Sequence, residues 1–198
     1  VQCENGFPNV KDAEEEMLSI TIKNHQNKKI VVWGVGKFTT NRDDVTYIEC
    51  ESEIHLLKEF LIFWEKHQPD VITGWNTEFF DIPYICNRII KLFGEDEIKR
   101  LSPWRSVQGR DIYKMGRNHQ TYNIQGVAAL DYFDLYRKFT YTAQESYRLD
   151  HIAKVELGES KSGNPYDTFR DWYTKDFQSF IEYNIQDVEI VDKLEDKM

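Results

Sequence analysis

The hydrophobic period of the chain changes near residue 53, and this change limits the folds available to it. Before that point Leu18, Ile20 and Ile22 alternate with polar residues, as in a strand with one buried face. Turn-rich Asn24, His25, Gln26 and Asn27 follow. Ile30, Val31, Val32 and Trp33 then read as a second strand, and Thr46, Tyr47 and Ile48 as a short third, so an antiparallel meander is expected. From Glu53 to His67 the spacing becomes helical: Leu57, Phe60, Leu61 and Trp64 recur at three and four, and Pro69 ends the run. Val71, Ile72 and Thr73 form a short strand ending at Gly74. Ile82, Ile85, Ile89 and Leu92 then share a helical face that Gly94 closes. Strands followed by alternating strands and helices imply an α/β fold, a mixed sheet flanked by helices.

Residues 105–127 are polar and lack a helical period; they read as a hairpin with its tip at Met115, Gly116 and Arg117. Ala129, Leu130, Asp131, Tyr132 and Phe133 read as a further strand, residues 147–155 as a helix, residues 158–165 as a loop, and the stretch from about residue 175 to the end as the last helix. No internal repeat or low-complexity linker interrupts the chain. Its 198 residues therefore read as a single domain with a hairpin insertion around 105–127.

With 40% hydrophobic and 14% aromatic residues the chain can build a packed interior. A net charge of -9 argues against a stand-alone duplex binder, because an acidic surface repels phosphates. It leaves room for a metal-dependent nuclease, whose carboxylates a cation neutralises. Cys3, Cys50 and Cys86 form no CxxC pair and read as free thiols of a reducing, cytoplasmic setting. No stretch approaches the roughly 20 apolar residues of a membrane span, and none resembles a secretory signal. The first residue is Val1, which suggests a processed product or a piece of something longer.

Two carboxylates stand out. On a helical wheel of the last segment, Phe177, Phe180, Ile181, Ile185, Val188 and Val191 form an apolar arc, with Glu182, Gln186, Glu189 and Lys193 opposite. Asp187 falls within the arc, and Tyr183 lies one turn before it. A carboxylate that faces a core is paired, protonated or metal-bound. Asp81 opens the helix after Gly74, with Pro83 in the first turn and Phe79, Phe80 and Ile82 around it. An ordinary ion pair would explain Asp187 and simple N-capping would explain Asp81. Two acids from distant segments also match a phosphodiesterase site for hard cations, which prefer oxygen ligands.

TGWNTEFFDIPYICNRI, at residues 73–89, resembles exonuclease motif II of family B DNA polymerases, with Asn76, Phe80 and Asp81 in the motif positions. YNIQD, at 183–187, resembles motif III, with Tyr183 and Asp187. GFP at 6–8, FGEDEIKRLSP at 93–103 and DYFDLYRKF at 131–139 resemble the T-even phage branch. The resemblance implies a ribonuclease-H-like (DnaQ-like) exonuclease fold in the cytoplasm of a bacterial host. It implies metal-dependent 3′→5′ removal of mispaired nucleotides from single-stranded DNA 3′ ends, with Mg²⁺ or Mn²⁺ in a two-metal site. By the same resemblance Asp81 and Asp187 are metal ligands and Tyr183 orients the attacking water or the scissile phosphate. Asn76 and Phe80 hold the terminal nucleotides, and Phe7 stacks on or wedges between bases, a role any base sequence tolerates. Packing against the core would account equally for Phe7, and it is the reading favoured for Trp75.

The family's motif I, an Asp-x-Glu on the first strand, would precede Val1. Gln2 and Glu4 imitate it poorly, lacking the Asp and standing too close to Gly6. The expectation is therefore an exonuclease domain with a truncated first strand and impaired activity, whose remaining polymerase domains lie in the same or a separate chain. The alternative is a non-catalytic piece that binds single-stranded DNA or a polymerase chain.

Overall fold

The computed structural model describes residues 1–3, 6–114, 116–159 and 163–197. Three strands open the chain: β1 (Ser19–Lys23), β2 (Ile30–Gly34) and β3 (Val45–Glu49). Next come α1 (Glu53–His67), β4 (Val71–Gly74), α2 (Asp81–Phe93) and a 3-10 helix (Glu95–Leu101). Strands β5 (Val107–Lys114), β6 (Arg117–Ile124) and β7 (Ala128–Asp131) follow, then α3 (Tyr132–Phe139), α4 (Leu149–Leu157), α5 (Phe169–Lys175) and α6 (Phe177–Lys197). The residues form two compact units, Val1–Gly6 with Glu15–Leu56 and Tyr141–Met198, and Phe7–Glu14 with Leu57–Thr140. The mixture of sheet and helix is α/β.

In the first unit β1 and β2 pair antiparallel, Ser19 opposite Gly34 and Lys23 opposite Ile30. The third strand corrects the expected meander: β3 runs parallel to β2, with Ile30 opposite Val45. A tight turn would have reversed the chain, but residues 35–44 are long enough to carry it back to the start of β2, as a parallel pairing requires. The return is fastened where the Ile30 N–H donates to Asp44 O at 2.8 Å. Tyr47 locks the other end, its hydroxyl donating to Gly36 O at 2.5 Å. The ring passes so close to Gly34 that a Cβ there would lie 2.4 Å from the Tyr47 oxygen.

Helix α6 packs its apolar stripe on this sheet. Phe180, Ile181 and Ile185 join Ile30, Val32, Phe38 and Val45 in one core with Trp172 and Tyr173 of α5. The helix starts where the Asp176 carboxylate accepts the Ser179 N–H at 3.0 Å, an N-cap bond. Gln178 fixes its first turn to the β2–β3 connection, accepting the Thr39 N–H at 3.0 Å and donating to Thr39 O at 2.9 Å. Its last turns are held by Asp192, which is 8% exposed. Lys23 Nζ lies 2.8 Å from this carboxylate, Lys28 Nζ 2.9 Å and His25 Nδ1 2.7 Å.

In the second unit β4 and β7 pair parallel, with Gly74 opposite Asp131. Leu57, Phe60, Leu61 and Trp64 of α1 are buried, and the Trp64 indole donates to Leu101 O at 2.8 Å. Strands β5 and β6 form an antiparallel hairpin, Lys114 opposite Arg117. Gly116 takes φ +78 at its tip, and Met115 lies outside the described residues. The segment read as a strand through Phe133 turns helical at Tyr132. Asp131 causes the switch, its side chain accepting the Phe133 N–H at 3.0 Å as the N-cap of α3. The segment read as a loop at 158–165 includes residues 160–162, which also lie outside the described residues. Among the described residues no helix is long and apolar enough to cross a membrane.

Burial alone would raise the Asp192 carboxyl, but hydrogen bonds from Lys23, Lys28 and His25 outweigh it and hold the group at about 2 against an ordinary 3.8. Because the folded value is depressed, the stabilisation is full above about pH 4 and is lost as the pH falls toward 2, worth about 2 kcal/mol in all. Asp192→Ala is expected to lower unfolding free energy at neutral pH by about 2–3 kcal/mol. It should also flatten the acid limb of the stability curve between pH 4 and 2, measured by urea melts.

Candidate active site

The turn between β4 and α2 carries Asn76, Phe80 and Asp81. It is a tight turn: Asn76 sits at φ +63, and its carbonyl accepts the N–H groups of Phe79 at 3.3 Å and Phe80 at 3.1 Å. Gly74 makes room for it, since a Cβ there would meet the Thr77 hydroxyl at 1.9 Å. Asp81 is the first helical residue and is exposed, while Phe80 occupies the cap position. The simple capping explanation of Asp81 therefore does not describe it; its charge lies in the first turn, where the helix dipole favours an anion.

Beneath the turn lies Asp131, 7% exposed. Its carboxylate accepts three backbone N–H groups: Asn76 at 3.0 Å and Phe133 at 3.0 Å on one oxygen, Glu78 at 2.9 Å on the other. Burial pushes this carboxyl above its ordinary value, and the three N–H donors work against that rise. Glu78 is held from two further directions, its carbonyl accepting the Thr121 hydroxyl at 3.0 Å and its carboxylate meeting Arg110 at 3.4 Å.

Phe7 reaches the same turn. It is 83% exposed, so it does not serve as a lid over the core, yet its ring centroid lies 5.0 Å from that of Phe80. Phe80 stacks in turn on buried Tyr84 at 5.7 Å, giving an aromatic series that leads from solvent to the interior. Helix α2 fixes the loop that carries Phe7. Asn87 donates to Val10 O at 2.8 Å, buried Arg88 donates to Ala13 O at 2.8 Å, and Lys91 meets Glu14 at 2.6 Å. Trp75 packs on Phe133 at 5.8 Å and Tyr136 at 6.0 Å, in keeping with a packing role.

Tyr183 and Asp187 stand four residues apart on α6, in the other unit. Tyr183 is wedged edge-on against Trp172 at 4.8 Å and Phe169 at 6.4 Å, so α5 fixes its ring. Asp187 is half-buried, and its Oδ1 is buried from solvent. Among the described residues no group of three or more His, Cys, Asp or Glu is arranged to hold a metal ion. Glu4, of the Gln2 and Glu4 pair, lies outside the described residues. Asp81 and Asp187 offer carboxylate oxygens alone. Carboxylate oxygens of this kind are the donors that Mg²⁺ or Mn²⁺ prefers.

A helix-opening acid beside an aromatic series, on an α/β framework, defines a candidate nuclease domain. Residues 1–152 match the exonuclease domain of DNA polymerase family B, and the chain belongs to that family, with its ribonuclease-H-like fold. It is similar to the DNA-directed DNA polymerase of Escherichia phage RB69, 43% identical over 148 residues, covering 74% of this chain and 16% of the relative. It is also similar to the DNA-directed DNA polymerase of Enterobacteria phage T4, 39% identical over 154 residues, covering 77% and 17%. A more distant relative is the DNA polymerase catalytic subunit of Human herpesvirus 7 (strain JI), 27% identical over 180 residues, covering 84% and 17%. The chain thus spans about a sixth of the length of these relatives. The family match ends before α6, so Tyr183 and Asp187 rest on the YNIQD motif and their place on that helix.

Asn76 in the left-handed region is tolerated because Asn visits it more readily than most residues. Asn76→Val is expected to cost about 1–3 kcal/mol, whereas Asn76→Gly should stay within about 1 kcal/mol of the parent. Chemical denaturation of the two variants checks the ordering.

Proposed function

We propose that this exonuclease domain removes mispaired nucleotides from single-stranded DNA 3′ ends, using Mg²⁺ or Mn²⁺ held by Asp81 and Asp187, within a larger DNA polymerase. The observation that carries the proposal is the juxtaposition of the Phe7, Phe80 and Tyr84 series with Asp81 at the start of α2. Exposed Phe7 and half-buried Phe80 present aromatic faces on which unpaired bases can stack, whatever their identity. Duplex bases stack on one another and leave no such face free, so the series selects frayed ends.

Asn76, exposed at the tip of the turn, offers an amide to the sugar or base of the terminal nucleotide. Tyr183, its ring fixed by Trp172, supplies a hydroxyl that orients the attacking water or the scissile phosphate. A bound divalent cation supplies a more acidic water and charge stabilisation for the leaving oxygen. The role of Asp81 and Asp187 is to supply carboxylate oxygens as its ligands.

The test uses single-stranded DNA with Mg²⁺ and reads shortened products. Asp81→Ala and Asp187→Ala are each expected to slow hydrolysis about a hundredfold or more. Unfolding free energy should change by no more than about 1–2 kcal/mol, the usual range for a single polar substitution. A variant that keeps its rate, or one that loses several kcal/mol of stability with its activity, would contradict the assignment of that residue.

A further inference from the structure

Asp131 is not among the acids expected to meet the cation, yet it is buried and gathers the backbone of two segments. We propose that Asp131 is a positioning residue of the exonuclease site, fixing the Asn76–Phe80 turn so that Phe80 and Asn76 meet the terminal nucleotide. The inference rests on the assignment of Phe80 as a nucleotide contact.

Three observations carry it. The turn contains a non-glycine residue at φ +63, a conformation that Asn visits more readily than most residues but that is kept as a single state where its surroundings hold it. The Asn76 N–H, on that same residue, donates to Asp131 Oδ1 at 3.0 Å, and the Glu78 N–H two residues on donates to Oδ2 at 2.9 Å. Both carboxylate oxygens are therefore used on one turn, and a neutral or shorter side chain cannot reproduce the pair. Third, the strand register sets Asp131 opposite Gly74, the last residue before the turn, so the carboxylate is delivered by the β4–β7 pairing itself.

Capping of α3 is the ordinary explanation for Asp131, and it accounts for one of the three bonds, that from Phe133. Asp131→Ser separates the two roles. A serine hydroxyl caps a helix well but cannot reach both turn amides. The full chain is titrated, without divalent cation so that no hydrolysis intervenes, against a single-stranded oligonucleotide with 2-aminopurine at its 3′ end. Half-saturation is read from fluorescence for the parent, Asp131→Ser, Phe80→Ala and the double variant, and amide exchange is followed at residues 76, 78 and 133.

Asp131→Ser is expected to weaken binding about tenfold, the loss that one misplaced charge-assisted contact commonly gives. Protection should be lost at Asn76 and Glu78 but kept at Phe133. The double variant should bind no worse than Phe80→Ala, because both changes act through the same ring. If Phe80→Ala weakens binding while Asp131→Ser binds as the parent does, or if the two losses add in full, the positioning role is overturned. If Phe80→Ala itself binds as the parent does, the nucleotide-contact assignment falls and the positioning role with it.

Discussion

Parallel pairing of β4 with β7 sets the geometry on which the second unit depends. The register opposes Gly74 and Asp131 at the ends of the two strands, where the chain leaves one for α2 and the other for α3. One carboxylate can therefore serve both exits, capping α3 and binding the turn into α2. Gly74 admits the Thr77 side chain and lets the turn close tightly. From that turn follow the exposed position of Asp81, the angle of Phe80 and its contact with Phe7. The first unit has its own counterpart in Asp192, where β1 and the β1–β2 turn converge on α6 below the stretch that carries Tyr183 and Asp187.

Both anchors are acids whose partners are backbone amides or distant lysines, and this explains which parts of the fold the sequence shows. Helices α1, α2 and α6 are legible because each has an apolar face of helical period and a recognisable end, such as Gly94 after α2. The direction of β3 is not, since residues 35–44 could have led to either neighbour pairing and the choice is made by tertiary contacts such as the Tyr47 hydroxyl on Gly36. Nor is the start of α3, because Leu130, Tyr132 and Phe133 favour a strand locally while the cap bond to Asp131 decides for a helix. An apolar setting around Asp131 was the available sign that this acid is buried, the same sign that singled out Asp187.

The site itself is legible to different degrees. Motif II fixes Asn76, Phe80 and Asp81 as neighbours by sequence alone, and the structure adds their conformations and the arrival of Phe7 from 73 residues earlier than Phe80. Arg88 and Asn87, which hold the Phe7 loop to α2, look in the sequence like ordinary polar residues on a helix. Tyr183 and Asp187 are picked out by the YNIQD motif together with their helical spacing, and Trp172, which fixes the tyrosine ring, is visible only in the fold. The residues proposed for catalysis thus sit on short-range patterns, whereas the groups that orient them come from contacts remote in sequence.

Asp81 and Asp187 are proposed as ligands of a divalent cation. Paramagnetic broadening by Mn²⁺, followed in NMR spectra of the full chain, tests that proposal most directly because it needs neither substrate nor turnover. The account predicts that substoichiometric Mn²⁺ broadens the signals of both Asp81 and Asp187 first, that Mg²⁺ competes the effect away, and that either alanine substitution weakens it at both residues. Broadening centred on other acids, such as Asp192 or Glu78, with Asp81 and Asp187 left sharp, would contradict it.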